Sequence, residues 1–415
     1  MTTNDQKTGG GVLAGLKVLD LAHHYSAAFA GVLLADLGAD VTVVEHPQGN
    51  VLRGMLPQRH GVPLWSTLVG RNKGNISLKL SEPRGQELLR RLATEYDVLI
   101  ENFRPGTLER WGLGPDDLAA AGADLVMLRV SGYGQSGPKS ARPGFGGAAE
   151  AMSGLTQMTG PEGGNPILLS TAIADGAAGT FGALGVLAAL WQRASARAGG
   201  EPRRPGVEVV DIALFEGVFR LIPTQIVEYD QCGIIPGRSG SVREHGVIRG
   251  VYRAGDGVDF CVSSVGPRAI RRMLESIAAD SLVAELDQDV LGEGEDAVVD
   301  FVTRSEKAFT AWAAGSSWAE VAAALDRTGM VYERVHTVAD IAEDEHFLAR
   351  EDVVTAHDPI LGEVRMPGIV PKFSGFHHEV RTTGKQVGAD NETLYGALLD
   401  LTPAELAALR GEGVI

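Results

Sequence analysis

LKVLDLAHHYSAAFAGVLLADLGADVTVVE, residues 16–45, is the stretch that decides the fold. Leu16–Ala22 is a short apolar run. Ala27–Leu37 carries Phe29, Leu33, Leu34 and Leu37 at helical spacing, and Gly38 stops that helix before a second apolar run, Asp40–Glu45. A strand, a helix and a strand within about thirty residues is the signature of a parallel sheet. The pattern continues downstream. Pro83–Leu92 is a helix with proline in its first turn, and Asp97–Phe103 and Leu125–Val130 are further strands. Each strand runs into a loop rich in glycine, arginine or asparagine. In an open parallel sheet such loops gather along one edge, where ligands bind. The turn after the first strand is His23-His24-Tyr25-Ser26, not Gly-x-Gly-x-x-Gly, and no Walker-type loop occurs, which disfavours a dehydrogenase or an NTPase.

A second stretch, Leu168–Gly217, carries the chemistry. Asp175 is the only acidic residue between Leu168 and Arg193, and it directly precedes Gly176, Ala177, Ala178 and Gly179, which have no bulk. From Thr180 onward Phe181, Leu184, Leu187, Ala188 and Trp191 fall at helical spacing, so the segment reads as a buried helix with Asp175 at its N-cap or opening. Two readings stay open. Asp175 caps the helix, or it is a carboxylate held ionised by the helix N-terminus and facing a ligand across a gap lined with glycine.

Composition narrows the class. The chain has 415 residues, 44% of them hydrophobic, enough for one large core or two smaller ones. Lys plus Arg is 37 against 53 Asp plus Glu, a net charge of −16, which argues against nucleic acid or an anionic membrane as the main partner. The two cysteines, Cys232 and Cys261, make neither a disulfide framework nor a zinc site, and His23 and His24 stand apart from other metal-ligand types. The polar start MTTNDQKTGGG has no apolar signal core, and Ile167–Trp191 reads as a buried helix rather than a membrane span. A cytoplasmic protein without a metal is the expectation.

Basic residues cluster in the first part of the chain. Arg53 follows the second strand, and Arg71 and Lys73 sit in a turn before another, either holding an anionic group or forming a solvated basic loop. Ser195–Pro205 reads as a surface loop, and Glu216 in ALFEG as a structural residue. From Arg243 a smaller, mixed region begins. Val247–Tyr252 and Val258–Ser263 alternate around the turn Ala254–Gly257, and helices follow at Arg268–Ala278, Asp296–Thr303 and Trp318–Arg327. Thr402–Gly411 is a capped amphipathic helix.

These residues carry a family resemblance. GLKVLDLA, LLADLGADVTVVEHPQGN, RNKGNISL, YDVLIENFRPGTLERWGLGPDDL, SGYGQSGP, ADGAAGTFGALGVLAAL, VVDIALFEG, DIAEDEHFLARE and LTPAELAALRGEGVI occur in the order seen in the class III CoA-transferases. The resemblance runs from Gly15 onward and is loosest in the middle. That family includes carnitine-CoA and formyl-CoA transferases and the 2-methylacyl-CoA racemases. It implies an α/β fold: a Rossmann-like parallel sheet in a large domain, a smaller α+β domain, and an interlocked homodimer. The large, CoA-binding domain would take residues 12–225, the small domain with its linkers 226–335, and the return segment 336–415 would complete the large domain.

The resemblance also implies a CoA-transferase with Asp175 as nucleophile, passing CoA from an acyl-CoA to a small carboxylic acid through aspartyl anhydride and enzyme-CoA thioester intermediates. Coenzyme A is then a substrate, and no permanently bound cofactor is expected. The CoA phosphates and adenine would lie near Arg53, Arg71, Lys73, Asn102, Phe103 and Arg104. Tyr133 and Gly134 of the Gly132–Pro138 loop, with Lys139 and Arg142 beyond it, would join them. Phe145 stands where the racemase branch carries a histidine, and Gly266 where it carries a glutamate, so racemase is the alternative rather than the first reading. Only Gly233, Gly237, Gly240 and Gly246 stand where formyl-CoA transferases have a run of glycines. A CoA-binding protein without turnover is a third reading, disfavoured by the intact Asp175.

Overall fold

The computed structural model describes residues 11–200, 205–240, 247–265, 267–292 and 294–415. The chain forms two compact units. One takes the chain up to Leu155 together with Leu168–Val227 and Asp344–Ile415, and the other takes Thr156–Ile167 and Glu228–Glu343. The smaller unit thus draws in a short segment ahead of Asp175 and extends past residue 335.

The larger unit is built on the sheet that residues 16–45 begin. Its strands are β1 Lys17–Asp20, β2 Asp40–Glu45, β3 Gly74–Ser77, β4 Val98–Glu101, β5 Val126–Ser131 and β6 Glu208–Ala213. They lie in the order β3-β2-β1-β4-β5-β6, every neighbouring pair parallel. The chain leaves β1 toward β2 on one side and returns to β4 on the other. That reversal opens a crevice at the carboxyl ends of β1 and β4.

The side chains alternate between two apolar layers. Val18, Ile100 and Leu128 face helices α1 (Tyr25–Asp36), α4 (Ile173–Ala198) and α5 (Leu214–Leu221). Leu19, Leu99 and Met127 face α2 (Pro83–Ala93) and, from the end of the chain, α9 (Asn391–Leu399) and α10 (Pro403–Gly411). The return segment is fastened there by Tyr395 Oη donating to Ser77 O at 2.9 Å and Ser77 N donating to Asn391 Oδ1 at 2.9 Å. Thr402 and Glu405 cap α10 reciprocally, as TPAE predicts.

The face that α4 buries differs from the expected one. Ala174, Ala177, Ala178, Gly182, Ala183, Val186 and Ala189 are turned inward, while Leu184 is 59% and Trp191 75% exposed. Small residues win because they let backbone approach backbone. A Cβ on Gly179 would sit 2.5 Å from the Ser26 carbonyl oxygen, and one on Gly185 2.7 Å from Val210 Cγ1. Helix α4 also continues to Ala198, so the loop expected from Ser195 starts at Gly199, and its residues 201–204 lie outside the described ones.

In the smaller unit, β7 (Val247–Arg253), β8 (Asp259–Val265) and β9 (Tyr332–Arg334) form an antiparallel sheet in the order β9-β8-β7. Helices α6 (Pro267–Ser276), α7 (Glu295–Ala314) and α8 (Trp318–Thr328) enclose a core around Phe260, Phe301 and Phe309. A hairpin of β10 (Val353–Asp358) and β11 (Gly362–Pro367), which the sequence reading did not anticipate, belongs to the larger unit.

Two glycines on α4 separate packing from propensity. Gly179→Val is expected to destabilise the protein by about 3 kcal/mol, because the added bulk meets backbone that cannot yield. Gly176→Ala, where nothing lies within 4 Å, is expected to stabilise by about 0.5–1 kcal/mol through helix propensity. Urea denaturation midpoints check both, and a tolerated valine at 179 would contradict the packing described.

Candidate active site

Asp175 lies inside the first turn of α4 and not at its cap. The helix begins at Ile173, and Ala172, the N-cap, offers no side-chain hydrogen bond. The capping reading is therefore corrected: the carboxylate belongs to the first turn of the helix, at the positive end of its dipole. Burial pushes its pKa up to about 6. A hydrogen bond with its own backbone amide opposes that shift, and the charge of Glu150 adds to it.

Two helices flank this carboxylate. Helix α3 (Gly146–Ser153) opens against it, and Gly146 leaves no room for a Cβ beside Asp175 Oδ2. One turn further along α3, Glu150 is only 3% exposed and accepts a hydrogen bond from Leu169 N at 3.3 Å. From α1, Tyr25 packs its ring against Phe29 at 5.3 Å and Trp65 at 5.1 Å between centroids. Burial and the Asp175 charge both raise the proton affinity of its phenol, opposed by Arg71. Glycine also places α3: Gly132 and Gly144 meet face to face, a Cβ on either lying 2.7 Å from the other's Cα. Phe145, the N-cap of α3, is 65% exposed and meets the edge of His24 at 5.5 Å.

The crevice at the sheet's carboxyl edge is a cleft of ≈ 270 Å³ walled by Leu21, His23, Val51, Leu80, Phe103 and Trp111 among others. His23 fills the turn where a dinucleotide fold has glycines. Its ring packs in tilted contact with Phe103 at 4.8 Å and with His24 at 4.7 Å between centroids. Burial, helped by His24, lowers the His23 pKa to about 4, so the ring is neutral at pH 7. Asn102 holds the turn by accepting from His23 N at 3.1 Å. Glu101, clamped by Arg129 at 2.7 Å, accepts from Phe103 N at 2.6 Å. Burial raises the Glu101 carboxyl to about 6 despite that arginine.

The basic residues divide sharply. Arg71 is buried, with Nε donating to Asp36 Oδ1 at 3.0 Å and Nη1 to Pro367 O at 2.6 Å. Lys73 is buried on Asp20 Oδ2 at 2.8 Å and Ala28 O at 2.9 Å. Neither sits in a solvated turn, because each neutralises a carboxylate that the sheet and α1 bury. Arg53, partly buried, is held bidentate by Glu45 at 2.6 and 2.8 Å and also donates to Lys385 O. Arg104, Lys139 and Arg142 are exposed. Tyr133 is half-buried beside Gly144, and Gly134, at φ +84°, lies close to Asp211.

Glu216 accepts from Ala213 N at 2.7 Å and so closes the start of its own helix. His336 belongs to the smaller unit, near Glu333, and His346 to a short helix, Glu345–Ala349. Gly246 and Gly266 lie outside the described residues. Sequence reasoning passed over Tyr25, Glu101, Gly146 and Glu150. Glu150 had a signal: it is the only acidic residue in Gly144–Pro161, on a segment otherwise made of small and apolar residues.

Residues 13–391 match CoA-transferase family III. The chain is 35% identical to a succinyl-CoA–D-citramalate CoA-transferase of Chloroflexus aurantiacus, covering 97% of this chain and 98% of that one. It is 30% identical to a formyl-CoA:oxalate CoA-transferase of Streptomyces coelicolor, over 97% and 99%. Its fold is similar to the crystal structure of a CAIB/BAIF family protein from Brucella suis, with a TM-score of 0.79, 25% identity, and 94% and 100% of the two chains covered.

The Asp175 environment has a stability consequence. Its carboxyl takes up a proton at about 6 in the folded chain against an ordinary value of 3.8. The folded state therefore holds a proton that the unfolded chain has released between those values. Its contribution to stability falls as pH rises from about 4 to 6 and stays low above that. Asp175→Asn should thus stabilise the protein at pH 7.5 by on the order of 2 kcal/mol, with the gain fading as pH falls from about 6 to 4. Thermal melts across pH check this, and a destabilised Asn variant at pH 7.5 would contradict it.

Proposed function

The chain belongs to CoA-transferase family III and is a CoA-transferase; from that premise we propose that Asp175 is the nucleophile that carries the transfer. The observation that supports this most is a desolvated carboxylate in the first turn of α4, set directly against Gly146 of α3. An Asp175 oxygen attacks the thioester carbonyl carbon, the C–S bond breaks, and its electron pair leaves on the CoA thiolate, giving a mixed anhydride. The thiolate then attacks the aspartyl carbonyl and releases the donor acid, leaving an aspartyl–CoA thioester. The acceptor carboxylate attacks that thioester and re-forms an anhydride. Thiolate attack on the acceptor's acyl carbon yields the new acyl-CoA and frees Asp175. No step is steeply uphill, since anhydride and thioester are similarly activated, and N–H groups of the first turn of α4 support the anionic states.

The adenine of CoA fits the crevice between His23, Phe103 and Trp111, where neutral rings give stacking surfaces without a buried charge. Exposed Arg104, Lys139 and Arg142 suit the phosphates better than Arg71 and Lys73, whose donors are taken by internal carboxylates. Arg53 would reach a phosphate only by sharing Glu45. His23, His24, Phe145 and Gly146 link this crevice to Asp175 contact by contact. The relatives' names support succinyl-CoA as donor and a small dicarboxylic or hydroxy acid as acceptor. Phe145 has no proton to exchange, so that position offers the racemase alternative no base.

With succinyl-CoA and a panel of carboxylic acids, the wild type should form new acyl-CoA and Asp175→Asn should lose activity by at least about 10³-fold. Phe103→Ala should raise KM for the acyl-CoA on the order of tenfold with kcat little changed. An active Asn variant would remove Asp175 from the mechanism. We also propose a homodimer, interlocked as the family resemblance implies. The apolar side chains left exposed on α4, Leu184 and Trp191, are the supporting observation. Light scattering should give twice the chain mass, and a monomer at micromolar concentration would contradict it.

A further inference from the structure

The two carboxylates at this site are not equivalent, and the nucleophile accounts for only one. Glu150 lies on α3 four residues beyond Gly146, the residue that touches Asp175, so both face the same side of the helix. It is 3% exposed and takes one hydrogen bond, from Leu169 N at 3.3 Å. No lysine or arginine among the described residues forms an ion pair with it. The larger unit's buried carboxylates on the sheet and α1 are treated differently: Asp20, Asp36, Glu45 and Glu101 each hold a lysine or arginine. A buried carboxylate beside a second one, with no cation, is a poor way to stabilise a fold.

We propose that Glu150 is a positioning residue for the transfer reaction, its negative charge facing Asp175 across the α3–α4 contact and favouring the states in which Asp175 is covalently neutralised. In the resting site two anions repel each other in a partly dry environment. When Asp175 attacks, its charge passes through the breaking C–S bond to the CoA thiolate, and the repulsion is released. Anhydride and thioester are thereby stabilised relative to the free enzyme. The same repulsion makes the resting carboxylate more basic, and nucleophilic attack improves with basicity.

The other elements packed on α4 present no competing charge. Tyr25 of α1 faces the carboxylate as a neutral phenol, and Asp36 is held by Arg71. Arg129 of β5 is turned to Glu101 and Glu109, and Asp211 of β6 accepts from Gln135 N. Glu208 of β6 is bound to Arg193, and Glu216 of α5 closes its own helix.

This inference rests on Asp175 being the nucleophile, and the test reads the two separately. Glu150→Gln keeps the side-chain shape and an oxygen for Leu169 N but removes the charge. Infrared titration of the full-length protein, without substrate, would follow the carboxyl band that disappears in Asp175→Asn. The band should titrate near pH 6 in the wild type and at lower pH in E150Q. The acidic limb of kcat/KM should move with it. Above pH 7, kcat should fall on the order of tenfold while KM for the acyl-CoA stays within about twofold. An unmoved midpoint in E150Q would overturn the proposal whatever the rate, since a purely structural role slows turnover without changing the titration. If E150Q does not fold, Glu150→Met is judged by the same midpoint. An active Asp175→Asn, in contrast, would remove the nucleophile reading while leaving the midpoint comparison intact.

Discussion

The structure depends on how closely α4 approaches α1 and the sheet. A 26-residue helix packed through Gly179, Gly182 and Gly185 puts backbone against the Ser26 carbonyl, Leu128 and Val210. Larger side chains at those positions would hold the helix away and open the first turn to solvent. Close packing instead brings Asp175 beside Tyr25 and under the start of α3, where Gly146 admits nothing larger than hydrogen. A fold-level property, the smallness of one helix face, thus sets the desolvation of one carboxylate and hence its chemistry.

Electrostatics separates framework from site. Along β1, β2, β3 and α1, buried Asp20, Asp36 and Glu45 are matched by Lys73, Arg71 and Arg53, so these charges fix the sheet and do not await a ligand. Glu101 on β4 is matched by Arg129 and in turn orients the amide of Phe103 beside the crevice. Asp175 and Glu150 have no such partners among the described residues. An unpaired carboxylate in a dry site is destabilising, and a fold retains it where reaction requires it.

The first strand–helix–strand unit was legible because apolar runs and the Gly38 stop report local geometry directly, and from it the parallel sheet followed. Asp175 stood out because nothing else acidic occurs near it. The burial of Arg71 and Lys73 was not legible, since their partners Asp36 and Asp20 lie far away in sequence and pair only after α1 folds onto the sheet. The inward face of α4 was misread for a related reason: bulk suggests burial, whereas close helix contact selects glycine and alanine. Glu150 escaped notice because its significance lies entirely in facing Asp175 from another helix.

The central claim is that Asp175 itself carries the covalent intermediate. The most direct measurement is rapid-quench mass spectrometry of the peptide containing Asp175, taken within one turnover of mixing with acyl-CoA. A mass gain of CoA less water, localised to Asp175, is expected. Turnover with that peptide unmodified, or with CoA attached to another residue, would contradict it.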